Sequence, residues 1–368
     1  MKVLFVINVD FALRHFLLPL MRAARSRGHQ VVAACAPGDM LAPVRAEGFR
    51  VAEIPFSRGL SPRAHGRALR MLMALMRAEK PDLVHAHMPI SGWLARLAAR
   101  LTRVPRIAYT CHGFLFNQPS SVIRRAIAFT LDFMAGRWAT DIFLTVSLAE
   151  AADARRLRIA RTPIAVGNGR DPAIFRPDPA ARAAMRVAMG VTEDRVVIIS
   201  VARLVYHKGF FELAVAMALA PDAELWVVGD RLASDRGPDV ATALRGVGLG
   251  DRLRLLGMRD DVPALLAAAD IFVLASHFEG LPMAVIEAML SALPVVACNI
   301  RGPAEQVIDG ETGLLVPPVD ADALARALRR LVADKNLRAA MGAAGRMRAM
   351  QCYDAAVVTA RTLDALGL

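Results

Sequence analysis

The sequence predicts an α/β protein made of two doubly wound, Rossmann-like domains. Three observations carry this. Short β-branched apolar runs alternate with helical stretches along the whole chain. The alternation restarts once, after a turn-rich segment at 167–179. The chain has 368 residues and is 55% hydrophobic, enough for two cores. Continuous apolar strands separated by helices imply parallel sheets covered on both faces. Ligands bind such sheets at the carboxyl ends of the strands, so the two domains are expected to face a central cleft.

The strands of the first set are VLFVINV (3–9), QVVAAC (30–35), DLVHAH (82–87), RIAYTC (106–111), DIFLTVS (141–147) and PIAVGN (163–168). Helical spacing predicts helices at 12–27, 63–79, 89–102, 121–138 and 148–157. The second set is RVVIISVAR (195–203), AELWVVGD (223–230), RLRLLGM (252–258), DIFVLAS (270–276), LPVVAC (293–298) and GLLVPP (313–318). Helices at 208–218, 237–246, 261–268, 282–291 and 320–333 separate these strands. The segment GNGRDPAIFRPDP (167–179) has the Gly, Pro and Asn content of a linker. The expected domains are therefore 1–170 and 171–345. A last helix, about 338–366, leaves a segment 346–368 that could cross back to the first domain.

Composition narrows the function. No apolar run reaches the roughly 18 residues of a membrane span. The start, MKVLFVINVD, lacks a small-residue cleavage site and reads as a first strand, not a signal peptide. Cys35, Cys111, Cys298 and Cys352 lie far apart in apolar surroundings, as buried thiols of a reducing compartment would. Residues 1–170 hold 25 Lys and Arg against 10 Asp and Glu, whereas 171–368 hold 21 against 24. The positive charge of the first half points to an anionic surface or substrate. Nucleic acid is disfavoured, because aromatics are only 6% and no stacking platform or nucleic-acid module is evident.

The chemistry gathers after strands of the second set. In HFEGLPMAVIEAM (277–289), Glu279 lies in the loop after a strand, and a helix starts near Pro282 with Glu287 on it. A helix start offers free N–H groups and a positive dipole to an anion. Pro282 suits a first helical position, and Gly280 lets a ligand approach the backbone. At 1.5 Å per residue, Glu287 lies about 7–8 Å from the helix start. Two carboxylates beside a phosphate repel it unless each grips hydroxyls instead. The arrangement thus fits a phosphate centre flanked by polyhydroxyl groups, a sugar nucleotide. In SVARLVYHKGFFEL (200–213), Arg203 ends a strand and Lys208 precedes a helix, suiting them to phosphate oxygens. Lys208 is one of only four lysines, against 42 arginines.

These segments resemble the retaining glycosyltransferases of family 4, which have the GT-B fold. The resemblance rests on VARLVYHKG (201–209), GMRDDVPALLAAADIFVLAS (257–276), EGLPMAVIEAM (279–289), PVVACNIRGPAEQVIDGETGLLVPPVD (294–320) and GNGRDPAIFRP (167–177), in that family's order. It implies that Arg203 and Lys208 hold the donor diphosphate, Glu287 the ribose, and Glu279 the transferred sugar. It also implies that the backbone of Gly280, Leu281, Pro282 and Met283 meets sugar or phosphate, and that Arg259 lies by the base. Glu-Gly-Leu-Pro replaces the Glu-Phe-Gly common in the family, a variant that resembles polysaccharide and glycan-assembly members.

The first half looks like members acting on undecaprenyl-diphosphate-linked sugars, through PDLVHAHMPISGWLARLAARLTRVPRIAYTCHGF (81–114). This implies that His112 contacts the transferred sugar or the acceptor, although a core histidine is the plain alternative. His85 and His87 share one strand face, and at most one, taken as His87, reaches the acceptor. NVDFALRHF (8–16) lacks the family's glycine-rich loop, leaving His15 as an acceptor contact. The resemblance implies a UDP-linked donor, with GDP-linked donors also known in the family, a lipid-linked sugar acceptor, no metal cofactor and no assigned catalytic base. Arg63, Arg67, Arg70 and Arg77 share one face of the 63–79 helix, either as a membrane-facing basic surface or as a solvated face over a core. FLF (114–116) with Arg124 and Arg125 is a second candidate. A cytoplasmic enzyme docked on the inner membrane face is the resulting expectation. A UDP-sugar epimerase of the same fold, or a non-catalytic relative, are the alternatives.

Overall fold

The computed structural model describes residues 1–57, 61–118, 120–219, 223–231, 235 and 237–368. The chain divides into two units. One is Met1–Gly167 with Val358–Leu368; the other is Asn168–Val357.

The first unit holds a seven-stranded sheet. Its strands are β1 (Lys2–Val6), β2 (Gln30–Cys35), β3 (Arg50–Glu53), β4 (Leu83–His87), β5 (Arg106–Cys111), β6 (Ile142–Thr145) and β7 (Ile164–Ala165). They run parallel in the order β3-β2-β1-β4-β5-β6-β7. Every expected strand forms: β2 and β5 span their apolar runs in full, and the other four are shorter than theirs. The edge strand β3 was not expected, because only Val51 of its four residues is buried and the run lacks an apolar core. Two buried clusters cover the two sheet faces. One gathers Leu4, Val84, Ile107 and Tyr109, and the other gathers Val3, Phe5, Leu83 and Leu144.

The second unit holds a six-stranded parallel sheet, in the order β10-β9-β8-β11-β12-β13. Its strands are β8 (Val196–Val201), β9 (Ala223–Val228), β10 (Leu253–Gly257), β11 (Ile271–Leu274), β12 (Val295–Cys298) and β13 (Gly313–Val316). Each sheet reverses its strand order once, at β1/β4 and at β8/β11. The loops after these strand pairs part at those points, which is where doubly wound sheets receive ligands.

Three helical expectations change. The stretch expected as one helix over 12–27 opens as Asp10–Ala12, passes through a π-helical turn Leu13–Leu17, and only then becomes the helix Leu18–Ser26. The helix expected over 338–366 is two, Lys335–Cys352 and Ala355–Leu366. The break is tertiary: the Arg170 N–H donates to the Tyr353 carbonyl (2.9 Å), and the Ala355 N–H donates to the Arg170 carbonyl (2.9 Å). Residues 346–357 therefore stay with the second unit. From Val358 onward the chain packs in the first, where Leu363 and Leu366 are fully buried. The helix expected from Pro282 begins at Met283, with Pro282 as its extended N-cap. Proline suits that place as well, since the helix asks no donor of it.

Candidate active site

In the second unit the site residues other than Arg259 sit on the loops of the β8/β11 switch point or on the helix that follows β11. After β8 the chain makes a 3-10 turn, Tyr206–Lys208, and then Gly209 opens the helix Phe210–Ala218. Gly209 has φ +70°, and a Cβ there would lie 1.9 Å from the Ala275 carbonyl oxygen at the end of β11. Only glycine allows the two loops to approach so closely. The result is a direct contact: Lys208 Nζ lies 2.6 Å from Glu279 Oε1, and both side chains are largely buried. Ser276 Oγ donates to the same carboxylate oxygen at 2.7 Å. Arg203 Nη1 pairs with Asp235 Oδ1 at 2.5 Å. Burial first, then the charges of Lys208 and Arg203, hold the His207 imidazole below its ordinary range.

The Glu279–Pro282 loop is anchored by its carbonyls. The Asn168 side-chain amide donates to the Leu281 carbonyl (2.9 Å), and Gln306 Nε2 donates to the Pro282 carbonyl (2.9 Å). A Cβ on Gly302, at φ +86°, would meet the Gly280 carbonyl oxygen at 1.9 Å, so a second glycine sets the position of this loop. These contacts engage carbonyls and orient the helix Met283–Leu290 with its N-terminal N–H groups at the strand end. Such a helix start suits an anion.

Glu287 is on that helix and is 7% exposed. Arg170 Nε lies 2.5 Å from its Oε1. Sequence reading missed this partner. The segment 167–179 reads as a linker by composition, yet Asn168 and Arg170 bind the two ends of the EGLPMAVIE stretch. Only the side-chain types, an amide and a guanidinium next to glycines, could have signalled it. Arg259 is set apart. It forks onto Asp261, Nε to Oδ1 at 2.7 Å and Nη2 to Oδ2 at 2.5 Å. Its loop follows the edge strand β10, three strands from β11, or about 14 Å along the sheet.

In the first unit, β4 and β5 bring three histidines into a row. His85 and His87 rings lie 4.0 Å apart, and His87 and His112 rings 5.4 Å. His85 Nε2 meets Thr110 Oγ1 at 2.7 Å, and His87 Nδ1 meets His112 Nε2 at 3.1 Å. Burial lowers the pKa of His85 to about 3 and that of His112 to about 4, and puts His87 well below its ordinary range. All three rings are thus neutral near pH 7. His87 Nε2 is buried without a hydrogen-bond partner. A buried N–H without an acceptor costs more than a bare lone pair. The favoured tautomer therefore carries hydrogen on His87 Nδ1, donating to His112 Nε2, and His112 holds its own hydrogen on Nδ1. His87, expected to touch an acceptor, is 2% exposed and orients His112 instead. Met88, just after β4, has φ +63°, a strained conformation for a side chain of its size.

His15 lies in the π-helical turn after β1, exposed, with its ring 4.3 Å from Phe11. The glycine-rich loop is replaced by this turn, which Asp10 ties down by accepting from the Met40 N–H (3.2 Å). Of the two basic surfaces, the Pro62–Glu79 helix exposes Arg63, Arg67, Arg70 and Arg77 but buries Ala68, Leu72 and Met76 in the core. It has no apolar face left for a membrane. Phe114 and Phe116 are buried as well, so FLF does not dip into anything outside the unit. All four cysteines are free, three of them buried.

Two doubly wound parallel sheets, with cations and carboxylates at the second switch point, match the build of the GT-B glycosyltransferases. Comparison with known proteins agrees. Residues 182–348 match the family glycosyl transferases group 1, and residues 15–173 match glycosyltransferase family 4. Over 279 residues the chain is 32% identical to the UDP-Gal:alpha-D-GlcNAc-diphosphoundecaprenol alpha-1,3-galactosyltransferase of Escherichia coli, covering 74% of this chain and 71% of that protein. It is 29% identical to EpsD of Bacillus subtilis over 366 residues, 97% of this chain and 94% of that one. In fold it superposes on HepE of Anabaena, solved in complex with UDP, with a TM-score of 0.85, 23% identity and full coverage of both chains. The chain belongs to the family 4 glycosyltransferases.

Proposed function

We propose that this glycosyltransferase moves a hexose or N-acetylhexosamine from a UDP-sugar to a hydroxyl of a lipid-linked, undecaprenyl-diphosphate-type sugar, with retention at the anomeric carbon. The observation that carries the reading is the Lys208–Glu279 contact beside the start of the Met283–Leu290 helix. It sets a cation, a carboxylate and a helix dipole at one strand end. The names of the Escherichia coli relative and of the HepE complex support the UDP donor and, for the former, the lipid-linked acceptor.

In the reaction, the bond between the sugar C1 and the diphosphate oxygen breaks. The acceptor oxygen bonds to C1 on the same face, and its proton leaves on a diphosphate oxygen. Lys208 is paired with Glu279 and Arg203 with Asp235; both cations turn to the donor diphosphate and stabilise the charge that grows on it, where fixed cations act most strongly. No divalent metal enters this scheme. Glu279, released from Lys208, accepts from hydroxyls of the transferred sugar, and Glu287, held by Arg170, accepts from the ribose. Backbone from Gly280 to Met283 lines the phosphate and sugar. His112, kept neutral by burial, offers the Nδ1 hydrogen to a sugar oxygen. His15 and Arg259 are assigned to acceptor and base respectively. The enzyme works at the cytoplasmic face of the cell membrane in surface-polysaccharide assembly.

Nucleoside diphosphate release from a panel of UDP- and GDP-sugars, with and without bacterial lipid extract, tests the reading. Release that needs one UDP-sugar together with lipid, and is lost in Glu279→Ala and Lys208→Ala, is expected. Interconversion of a UDP-sugar without lipid would replace the reading with an epimerase. Absence of both turnover and nucleotide binding would overturn it.

A further inference from the structure

We propose that the Val122–Trp138 helix is the surface by which this enzyme docks on an anionic lipid bilayer. The inference rests on the lipid-linked acceptor proposed above and assigns the docking to one helix face. That helix is inverted relative to an ordinary surface helix. Its large apolar side chains point outward: Ile123 is 73% exposed, Met134 59% and Trp138 52%, with Ile127 and Leu131 also exposed. At 100° per residue, positions 123, 127, 131, 134 and 138 fall within an arc of about 80°. They form one stripe along the full helix.

The opposite face carries mostly small or polar residues, with Phe129 partly buried beside them, and is pinned to the domain. Ala128, Asp132 and Gly136 are buried there. A Cβ on Gly136 would meet the Ile159 carbonyl oxygen at 2.5 Å, so the helix backbone lies directly on its neighbour. Asp132 accepts from Trp93 Nε1 at 2.7 Å. A stripe of five large apolar side chains left in water is the kind of patch that marks a binding surface.

Charge selects the occupant. Asp132 is the helix's one acidic residue, and it is buried; Arg124 and Arg137 are exposed on either side of the stripe. The unit around it belongs to the strongly basic first half of the chain. An apolar stripe with basic flanks and an aromatic ring at its end fits the interface of an anionic bilayer. A second copy fits less well, since stripe-to-stripe packing would bring like-charged arginines together. The Pro62–Glu79 helix carries one more arginine, but it has spent its apolar face on the core.

Flotation of the full chain with phosphatidylcholine vesicles, with and without phosphatidylglycerol, tests this. Binding is expected only with phosphatidylglycerol. The triple variant Ile127→Gln, Met134→Gln, Trp138→Gln should weaken it at least about ten-fold, and Arg124→Gln or Arg137→Gln by about five-fold each. Arg67→Gln with Arg70→Gln on the other basic helix should change it less. Unchanged circular dichroism and UDP affinity would show that the triple variant is folded. Quenching of tryptophan emission by brominated phosphatidylglycerol should disappear in Trp138→Phe. Equal binding by the triple variant, or no binding by the wild type, overturns the proposal. A concentration-dependent dimer abolished by the triple variant, without vesicle binding, overturns it in favour of self-association. Vesicle binding through this face without transfer to any lipid-linked sugar would sink the acceptor reading alone; transfer in detergent without vesicle binding would sink the docking alone.

Discussion

At the scale of single residues, the second unit's site is a set of matched charges. Lys208 with Glu279, and Arg170 with Glu287, are held at 2.6 and 2.5 Å. Removing one partner leaves the other charge half-desolvated, which costs more than the pair itself contributes. Arg170→Ala should therefore lower the stability of the second unit by roughly 1–3 kcal/mol in urea unfolding, and weaken UDP binding measured by calorimetry. Arg170→Lys should recover most of the stability but less of the affinity, because an ammonium cannot reproduce the guanidinium's fixed direction. In the first unit, the histidine row makes stability pH-dependent. His85 and His112 have folded pKa values near 3 and 4, below the 6.5 of the free side chain. Between about pH 6.5 and 4 the unfolded chain takes up protons that the folded one does not. Stability should fall as pH drops through that window and be flat above it. Hydrogen exchange of β4 and β5 measured from pH 7.5 to 5 checks this, with a shallower dependence expected for His112→Asn.

At the scale of elements, the site depends on how closely two loops approach. Gly209 sits where a Cβ would overlap the Ala275 carbonyl, with φ +70°. Gly209→Ala must push the Lys208 turn away from the Glu279 loop. The expected outcome is loss of most transferase activity, with a stability cost of about 1–3 kcal/mol, read from the urea midpoint and from turnover of the same preparation. Sequence located this loop and its charged residues, because Arg203, Lys208 and Glu279 all follow strands. It did not identify Arg170 as a site residue or split the last helix, and these two misses have one cause. The 167–179 segment was read by its turn-forming composition. Its backbone instead pairs across the gap between Tyr353 and Ala355, and its side chains reach Leu281 and Glu287. Neither contact has any trace in local spacing.

At the scale of the molecule, the chain's last residues return to the unit where it began. Leu363 and Leu366 are buried among the first unit's core residues, Arg106 Nη2 donates to the Leu366 carbonyl (2.5 Å), and Arg27 Nη1 pairs with Asp364 (2.8 Å). Ending the chain after Val357 should destabilise the first unit by several kcal/mol, since each buried leucine lost costs about 2–5. Hydrogen exchange should rise in β1 and β5 and stay unchanged in the second unit's strands. A uniform rise in both units would mean that they unfold together.

The sequence by itself determined the two doubly wound domains, their strands and the loops that carry charge, because these follow from local periodicity and from which residues end a strand. It also held the family resemblance, spread over ordered motifs. Only the tertiary structure decided the partners: Glu287 with Arg170, His87 with His112, and the return of the terminal helix. Those pairs join residues 25 to more than 100 positions apart, and their distances depend on the packing of whole sheets. The exposed stripe of the Val122–Trp138 helix belongs to the same class. Its apolar periodicity is readable, but which face meets the core is settled only by the small residues that let the helix lie against its neighbour.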